Sequence, residues 1–150
     1  MSVPKAIKAL QEISSDLVVL PDTQAYNEII SSYFTELERE LKPACFLTPK
    51  SAQEVAATIK SVKPFAEDLK IAICGAGQQA TPGVANVHDG LTIHLRNILG
   101  VEVDTQKKLV SVGAGEKMGH VYEKLTALGF GVAGNRHSSG GIGGDAVQGE

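Results

Sequence analysis

A chain of 150 residues with 43% hydrophobic and 21% charged residues has the composition of one globular domain with a real core. A formal charge of −3, 5% aromatic content and no tryptophan exclude a basic, base-stacking surface for nucleic acid and a patch for an anionic membrane. Cys45 and Cys74 both sit in apolar runs, so they read as buried free thiols rather than a disulfide framework or a zinc pattern.

Lys5, Lys8, Gln11 and Glu12 interrupt any signal-peptide core, and no apolar run reaches membrane-spanning length, so a soluble cytoplasmic protein is expected. Ile7, Leu10 and Ile13 predict a short amphipathic helix that breaks at Ser14-Ser15-Asp16. After Pro21-Asp22-Thr23, residues Tyr26, Ile29, Ile30, Tyr33, Phe34, Leu37 and Leu41 predict one long helix ending near Pro43. Glu36, Glu38, Glu40 and Lys42 are read as its solvated face.

Ala44–Thr48 predicts a short strand. Ser51-Ala52-Gln53-Glu54 is a capping box opening a helix with Val55, Ile59 and Val62 on one face and Pro64 at its end. Leu69–Cys74 predicts the next strand, so the span reads as a βαβ unit with two parallel strands. Leu91, Ile93 and Leu95 alternate with Thr92, His94 and Arg96, which predicts a strand with one buried face and His94 on the other. Val101–Val103 and Leu109–Val112 predict a hairpin turning at Asp104–Lys107. Met118, Val121, Tyr122, Leu125 and Leu128 predict a helix stopped by Gly129, with His120 on its exposed side, and Phe130–Ala133 a brief strand. The fold class expected is α+β, with a small parallel part, antiparallel strands and flanking helices.

Two glycine-rich segments have no helical pattern: Gly75-Ala76-Gly77-Gln78-Gln79 after a strand, and Gly134–Gly144. Glycine permits close approach of backbone to a ligand, and successive free N–H groups form an anion cradle. The formal GxGxxA match of Gly75 to Ala80 fails as a dinucleotide fingerprint, because Pro82 and Gly83 follow where a helix should start. No lysine follows Gly77 in P-loop fashion. Two such loops suggest an extended, polyphosphate-bearing ligand between them. A plain structural turn is the alternative for the first.

Cys74-Gly75-Ala76-Gly77-Gln78-Gln79 resembles the pyrophosphate loop of FAD-binding oxidoreductases of the p-cresol methylhydroxylase / vanillyl-alcohol oxidase type, including the berberine-bridge-like enzymes, where it commonly reads Arg-Gly-Gly-Gly-His-Ser. Further pieces match in order: Phe46–Pro49 with Ser51–Val55, Leu95–Ile98, Val112–Gly115 with Val121-Tyr122, and Gly134–Arg136 through Gly141–Gly144. The resemblance implies a PCMH-type FAD-binding fold, here incomplete, with residues 1–43 as a helical lead and 44–150 as part of the FAD-binding domain. It implies that Gly75, Ala76, Gly77, Gln78 and Gln79 hold the pyrophosphate. Gly134, Asn135, His137, Ser138, Ser139, Gly141 and Gly144 would line the cofactor towards the flavin.

Many members attach the flavin covalently through the loop histidine, where this chain has Gln78, so non-covalent FAD is expected. Cys74 stands in place of the usual arginine. The complete enzyme would pass a hydride from a small organic substrate to FAD, with O2 reoxidising it. This chain reads as a piece of that enzyme, inactive alone, with no assignable catalytic residue and no metal site. The alternatives are a non-catalytic α+β remnant or interaction module without tight FAD binding, and a different nucleotide ligand.

Overall fold

The computed structural model describes residues 2–148. Helix α1 (Val3–Ile13) carries proline in its first turn, where a missing N–H is harmless, and buries Ala6 and Leu10 completely. The two-residue strand β1 (Val18–Val19) follows. The long helix expected from Thr23 to Pro43 is two helices, α2 (Gln24–Ser31) and α3 (Glu36–Arg39). The Thr35 hydroxyl accepts from Glu38 N–H and starts a new helix, and the break frees Phe34 N–H to donate to Gly77 O at 2.9 Å. Phe34 and Leu37 turn outward as a result.

Glu38 does not belong to a solvated face. It is fully buried, with carboxylate oxygens accepting from Ala85 N–H (2.9 Å) and Gly83 N–H (3.4 Å). Its own carbonyl accepts from Asn86 Nδ2 at 3.0 Å. Glutamates at i, i+2 and i+4 cannot share one helix face, so the buried member of the trio is the middle one.

Strand β2 (Cys45–Leu47), helix α4 (Ala52–Val62) and strand β3 (Ile71–Cys74) form the expected βαβ crossover. Glu54 N–H donates to the Ser51 hydroxyl, while the Glu54 carboxylate reaches one residue past the cap, to Lys50 N–H. The face of α4 that meets the core is Thr58 and Val62; Ile59, one position round the helix, is 44% exposed. Strand β4 (Leu91–His94) inserts between β2 and β3, giving the order β1-β2-β4-β3 with the last three strands parallel.

This central place buries every residue of β4, contrary to the expectation of one polar face. Leu91 and Ile93 pack under α1 and α4. On the other face the Thr92 hydroxyl donates to Asn86 Oδ1 at 2.9 Å, and His94 is buried against the ring of Phe46.

Strands β5 (Val101–Asp104) and β6 (Leu109–Val112) form the predicted hairpin, with Asp104 Oδ1 accepting from Gln106 and Lys107 N–H in the turn. Helix α5 (Met118–Thr126) ends near Gly129 as expected. Phe130–Ala133 forms no strand: Phe130 N–H donates back to Leu125 O at 2.9 Å and closes the helix end. The second glycine segment ends in a helix, α6 (Ile142–Gln148), where none was expected. Its glycines weaken helix propensity by roughly 1 kcal/mol each. Gly143 is nonetheless required there, since an added Cβ would sit 2.8 Å from Ala114 O.

The buried carboxylate of Glu38 yields a direct expectation. Glu38→Ala leaves the Ala85 and Gly83 N–H groups without their acceptor and should lower unfolding free energy by about 2–4 kcal/mol. In urea unfolding the midpoint should fall with an unchanged slope; a shift no larger than that of Glu36→Ala, on the exposed side, would contradict this placement.

Candidate functional site

The first glycine loop leaves β3 at Cys74 and is fastened from behind. Arg96 Nη2, just past the end of β4, donates to Ala76 O and to Ser32 O, and Phe34 N–H donates to Gly77 O. Gly77 has φ +69°, and a Cβ there would lie 2.5 Å from Arg96 Nη2, so a side chain would be strained and would push the guanidinium off the loop. No cis peptide occurs among the described residues. In a trans peptide the C=O and N–H point opposite ways. With the carbonyls of Ala76 and Gly77 turned to the protein body, the N–H groups of Gly77 and Gln78 face away from it. Among the described residues, the N–H groups of Ala76, Gly77, Gln78 and Gln79 donate to no acceptor.

The second segment is stitched to the start of α5. Met118 N–H donates to Gly140 O, Gly119 N–H to Ser138 O and Ile142 N–H to Glu116 O. Glu116 is itself buried; it accepts from Gly100 N–H at 2.8 Å and pairs with His120 Nδ1 at 2.8 Å. This places Gly141 against the first loop, where a Cβ would sit 2.5 Å from Ala76 Cβ.

A cleft of about 340 Å³ lies between the two segments. Gly75, Ala76, Gly77, Gln78, Gln79, Asn135, Gly141 and Gly144 line it, as the sequence grouped them. Gly134, His137, Ser138 and Ser139 do not line it. Gly134 packs on Met118 and Tyr122, Ser138 packs on Gly119, and His137, exposed, donates its N–H to Asn135 Oδ1. Ile73, Val84 and Asp145 also line the cleft, and sequence reasoning missed them. Ile73 and Val84 are exposed apolar side chains (58% and 49%), so the cleft offers a hydrophobic wall beside a row of backbone donors. That pairing suits a ligand with a phosphate and a flat apolar ring.

The groups behind the loop are neutral or unpaired. Burial, with the Arg96 charge beside it, pushes the His94 pKa down to about 4, and its Nε2 has no hydrogen-bond partner among the described residues. Burial pushes the Cys45 thiol up to about 12 and raises Cys74 as well, so both free thiols are protonated and unreactive. The surface position expected for His94 is therefore wrong: the threonine–histidine alternation marks an inner polar layer, not solvent. Of the residues that brace this region, Arg96 lies within the matching Leu95–Ile98 piece and Tyr33 within the apolar periodicity, but the sequence assigns neither to the site, and Glu38 is signalled only by the impossible shared face of the three glutamates.

Residues 43–150 match the family model described as FAD binding domain. The chain is 31% identical over 114 residues to FAD-dependent monooxygenase FUP4 of Fusarium proliferatum, covering 76% of this chain and 22% of that protein. It is 30% identical over 136 residues to FAD-dependent monooxygenase sdcF of Emericella nidulans, covering 91% and 28%. The chain thus spans about a quarter of the length of the curated relatives it matches. Among solved structures it superposes on a chitooligosaccharide oxidase with a TM-score of 0.77 at 20% identity, covering 94% of this chain and 30% of that one. The Physcomitrella patens BBE-like 1 wild-type enzyme gives 0.77 at 20% identity, covering 91% and 30%.

The buried histidine makes stability depend on pH. Below about 6.5 the unfolded chain protonates His94, while the folded chain stays neutral until about 4. Stability is therefore lost as pH falls through that window, by at most roughly 1.4 kcal/mol per pH unit from this group. Urea unfolding of the wild type and of His94→Gln at pH 7, 6 and 5 should show a shallower decline in the variant. Parallel declines would mean that His94 is not buried neutral.

Proposed function

The chain belongs to the FAD binding domain family, and from that premise we propose that it is of the p-cresol methylhydroxylase / vanillyl-alcohol oxidase type and that the Gly75–Gln79 loop binds the pyrophosphate of non-covalently held FAD. The observation that carries the reading is the unpaired row of backbone N–H groups on Ala76, Gly77, Gln78 and Gln79, opposite Asn135, Gly141 and Gly144 of the second segment. The apolar side chains of Ile73 and Val84 at the same cleft fit an aromatic ring next to that diphosphate.

Three features favour non-covalent attachment. Gln78 offers a weakly nucleophilic amide at the position where the resemblance places a flavin-linking histidine in many members. Both thiols are buried and protonated. His137 is exposed and outside the cleft lining. Gly134, Ser138 and Ser139 then act as the frame that presents Asn135 and Gly141, rather than as contacts.

FAD, when bound, supplies the two-electron redox chemistry, and we assign the whole protein to oxidoreductases that take a hydride from an organic substrate, with O2 as the final acceptor. The residues described here bind and orient. The first loop gives backbone donors at fixed positions, Gly75 and Gly144 keep side chains out of the cleft, and the buried layer beneath braces the loop. No helix among the described residues is long and apolar enough to cross a membrane.

Titration of FAD with the apoprotein should quench flavin fluorescence saturably, and acid precipitation should leave all the flavin in the supernatant. Flavin retained in the pellet would overturn the non-covalent reading. An absence of quenching at high micromolar protein would overturn FAD binding and favour a non-catalytic remnant.

A further inference from the structure

The cleft has an electrostatic problem. A diphosphate brings two or more negative charges, yet the lining contains no lysine, arginine or histidine among the described residues, and it does contain Asp145. Asp145 Oδ1 accepts only a long bond from Asn135 Nδ2 (3.4 Å), and its Oδ2 is buried without a partner among the described residues. Backbone dipoles alone would have to outweigh a carboxylate.

We propose that Arg96 supplies the missing positive charge from behind the loop, acting as a positioning residue through the Ala76–Gly77 peptide. Arg96 Nη2 holds Ala76 O, so the guanidinium lies at the carbonyl end of the peptide whose N–H faces the cleft. A cation at the carbonyl polarises that peptide and strengthens its N–H as a donor on the far side. The charge also acts directly across one peptide thickness in a half-buried setting, where screening is weak.

Arg96 is placed to do this because it has no direct ion-pair partner among the described residues, the buried Glu38 carboxylate being turned instead to the Gly83 and Ala85 N–H groups. Among the described residues no carboxylate lies within ion-pair distance of it. Its two acceptors are the carbonyls of Ser32 and Ala76, and its buried Nε has none. Its neighbours His94 and Cys74 are both held neutral by burial. The absence of a side chain at Gly77 is what lets the guanidinium come so close. An arginine that served only as a structural clamp would need the hydrogen bonds but not the charge.

This inference deepens the FAD reading and rests on it for the identity of the diphosphate, so the test separates the two. Apoprotein of the wild type, Arg96→Gln and Arg96→Lys is titrated with FAD and riboflavin by fluorescence and with inorganic pyrophosphate by calorimetry. Circular dichroism checks that each variant is folded. Glutamine keeps a donor for Ala76 O without charge; lysine keeps the charge without the fork.

Loss of one charge-assisted interaction predicts that Arg96→Gln weakens FAD and pyrophosphate about 10- to 100-fold. Riboflavin affinity should stay within about twofold, and Arg96→Lys should recover most of the loss. Equal weakening of FAD and riboflavin would overturn the proposal and leave a structural clamp, as would an unchanged FAD affinity in Arg96→Gln. Arginine-dependent pyrophosphate binding without FAD quenching would support the role of Arg96 and overturn the FAD reading instead.

Discussion

Two hydrogen bonds set the orientation of the whole site: Arg96 to Ala76 O and Phe34 N–H to Gly77 O. Each fixes a carbonyl, and because the peptide is planar and trans, each also fixes an N–H on the opposite side. The first glycine loop is therefore not a flexible cradle that closes around a ligand. Its donors are aimed before any ligand arrives, and pre-aimed donors lose less on binding than donors that must be ordered first.

That constraint accounts for features that look arbitrary in the scaffold. The long apolar periodicity from Tyr26 to Leu41 would be satisfied by one helix, but a continuous helix would use Phe34 N–H internally. Breaking it at Ser32–Thr35 costs helix hydrogen bonds. The loss is offset by the Thr35 cap, the Arg39 Nε bond to Tyr33 O (2.9 Å) and the Phe34 bond to the loop. The restarted helix α3 then carries Glu38 inward, where it ties Gly83 and Ala85. The Tyr33 hydroxyl donates to Ala85 O at 2.8 Å, and Asn86 joins Glu38 to Thr92 of the central strand. The outgoing chain after the loop is thus held by the same short segment that holds the loop itself.

What could be read from the sequence was what depends on near neighbours along the chain: the βαβ unit, the hairpin with its Asp104 turn, the Ser51 cap and the Gly129 stop. These follow from spacing and local hydrogen bonds. What could not be read depends on which strand sits in the middle. The insertion of β4 between β2 and β3 converts Thr92 and His94 from a solvent face into a buried polar layer, and no alternation pattern carries strand order. The same holds for Glu38, whose partners lie 45 and 47 residues away, and for Arg96, which is 20 residues from Ala76. The two glycine segments were grouped by composition alone; their meeting across a cleft depends on the buried Glu116 and the backbone pairing at Gly140–Ile142, which composition does not express.

Glycine density turns out to hold two different populations. At Gly77, Gly140, Gly141 and Gly143 an added Cβ would run into Arg96, Asn135, Ala76 or Ala114, so these glycines answer to packing between protein segments. They would be needed whether or not the cleft held anything. Gly75 and Gly144 differ. A Cβ at Gly75 would meet only ordinary contacts at 3.8 and 3.9 Å, and one at Gly144 would meet nothing within 4 Å. Both line the cleft, and the nearest atom to the would-be side chain of Gly75 is the backbone nitrogen of Gly144. No protein atom among those described requires glycine at either position, and each lowers the stability of the chain around it. A side chain at either position would narrow the space between the loops, which fits the close approach of backbone to the proposed ligand. This facing pair, unlike the glycine-rich composition as a whole, stands beside the unpaired N–H row of the first loop as a feature of the cleft that fits a ligand.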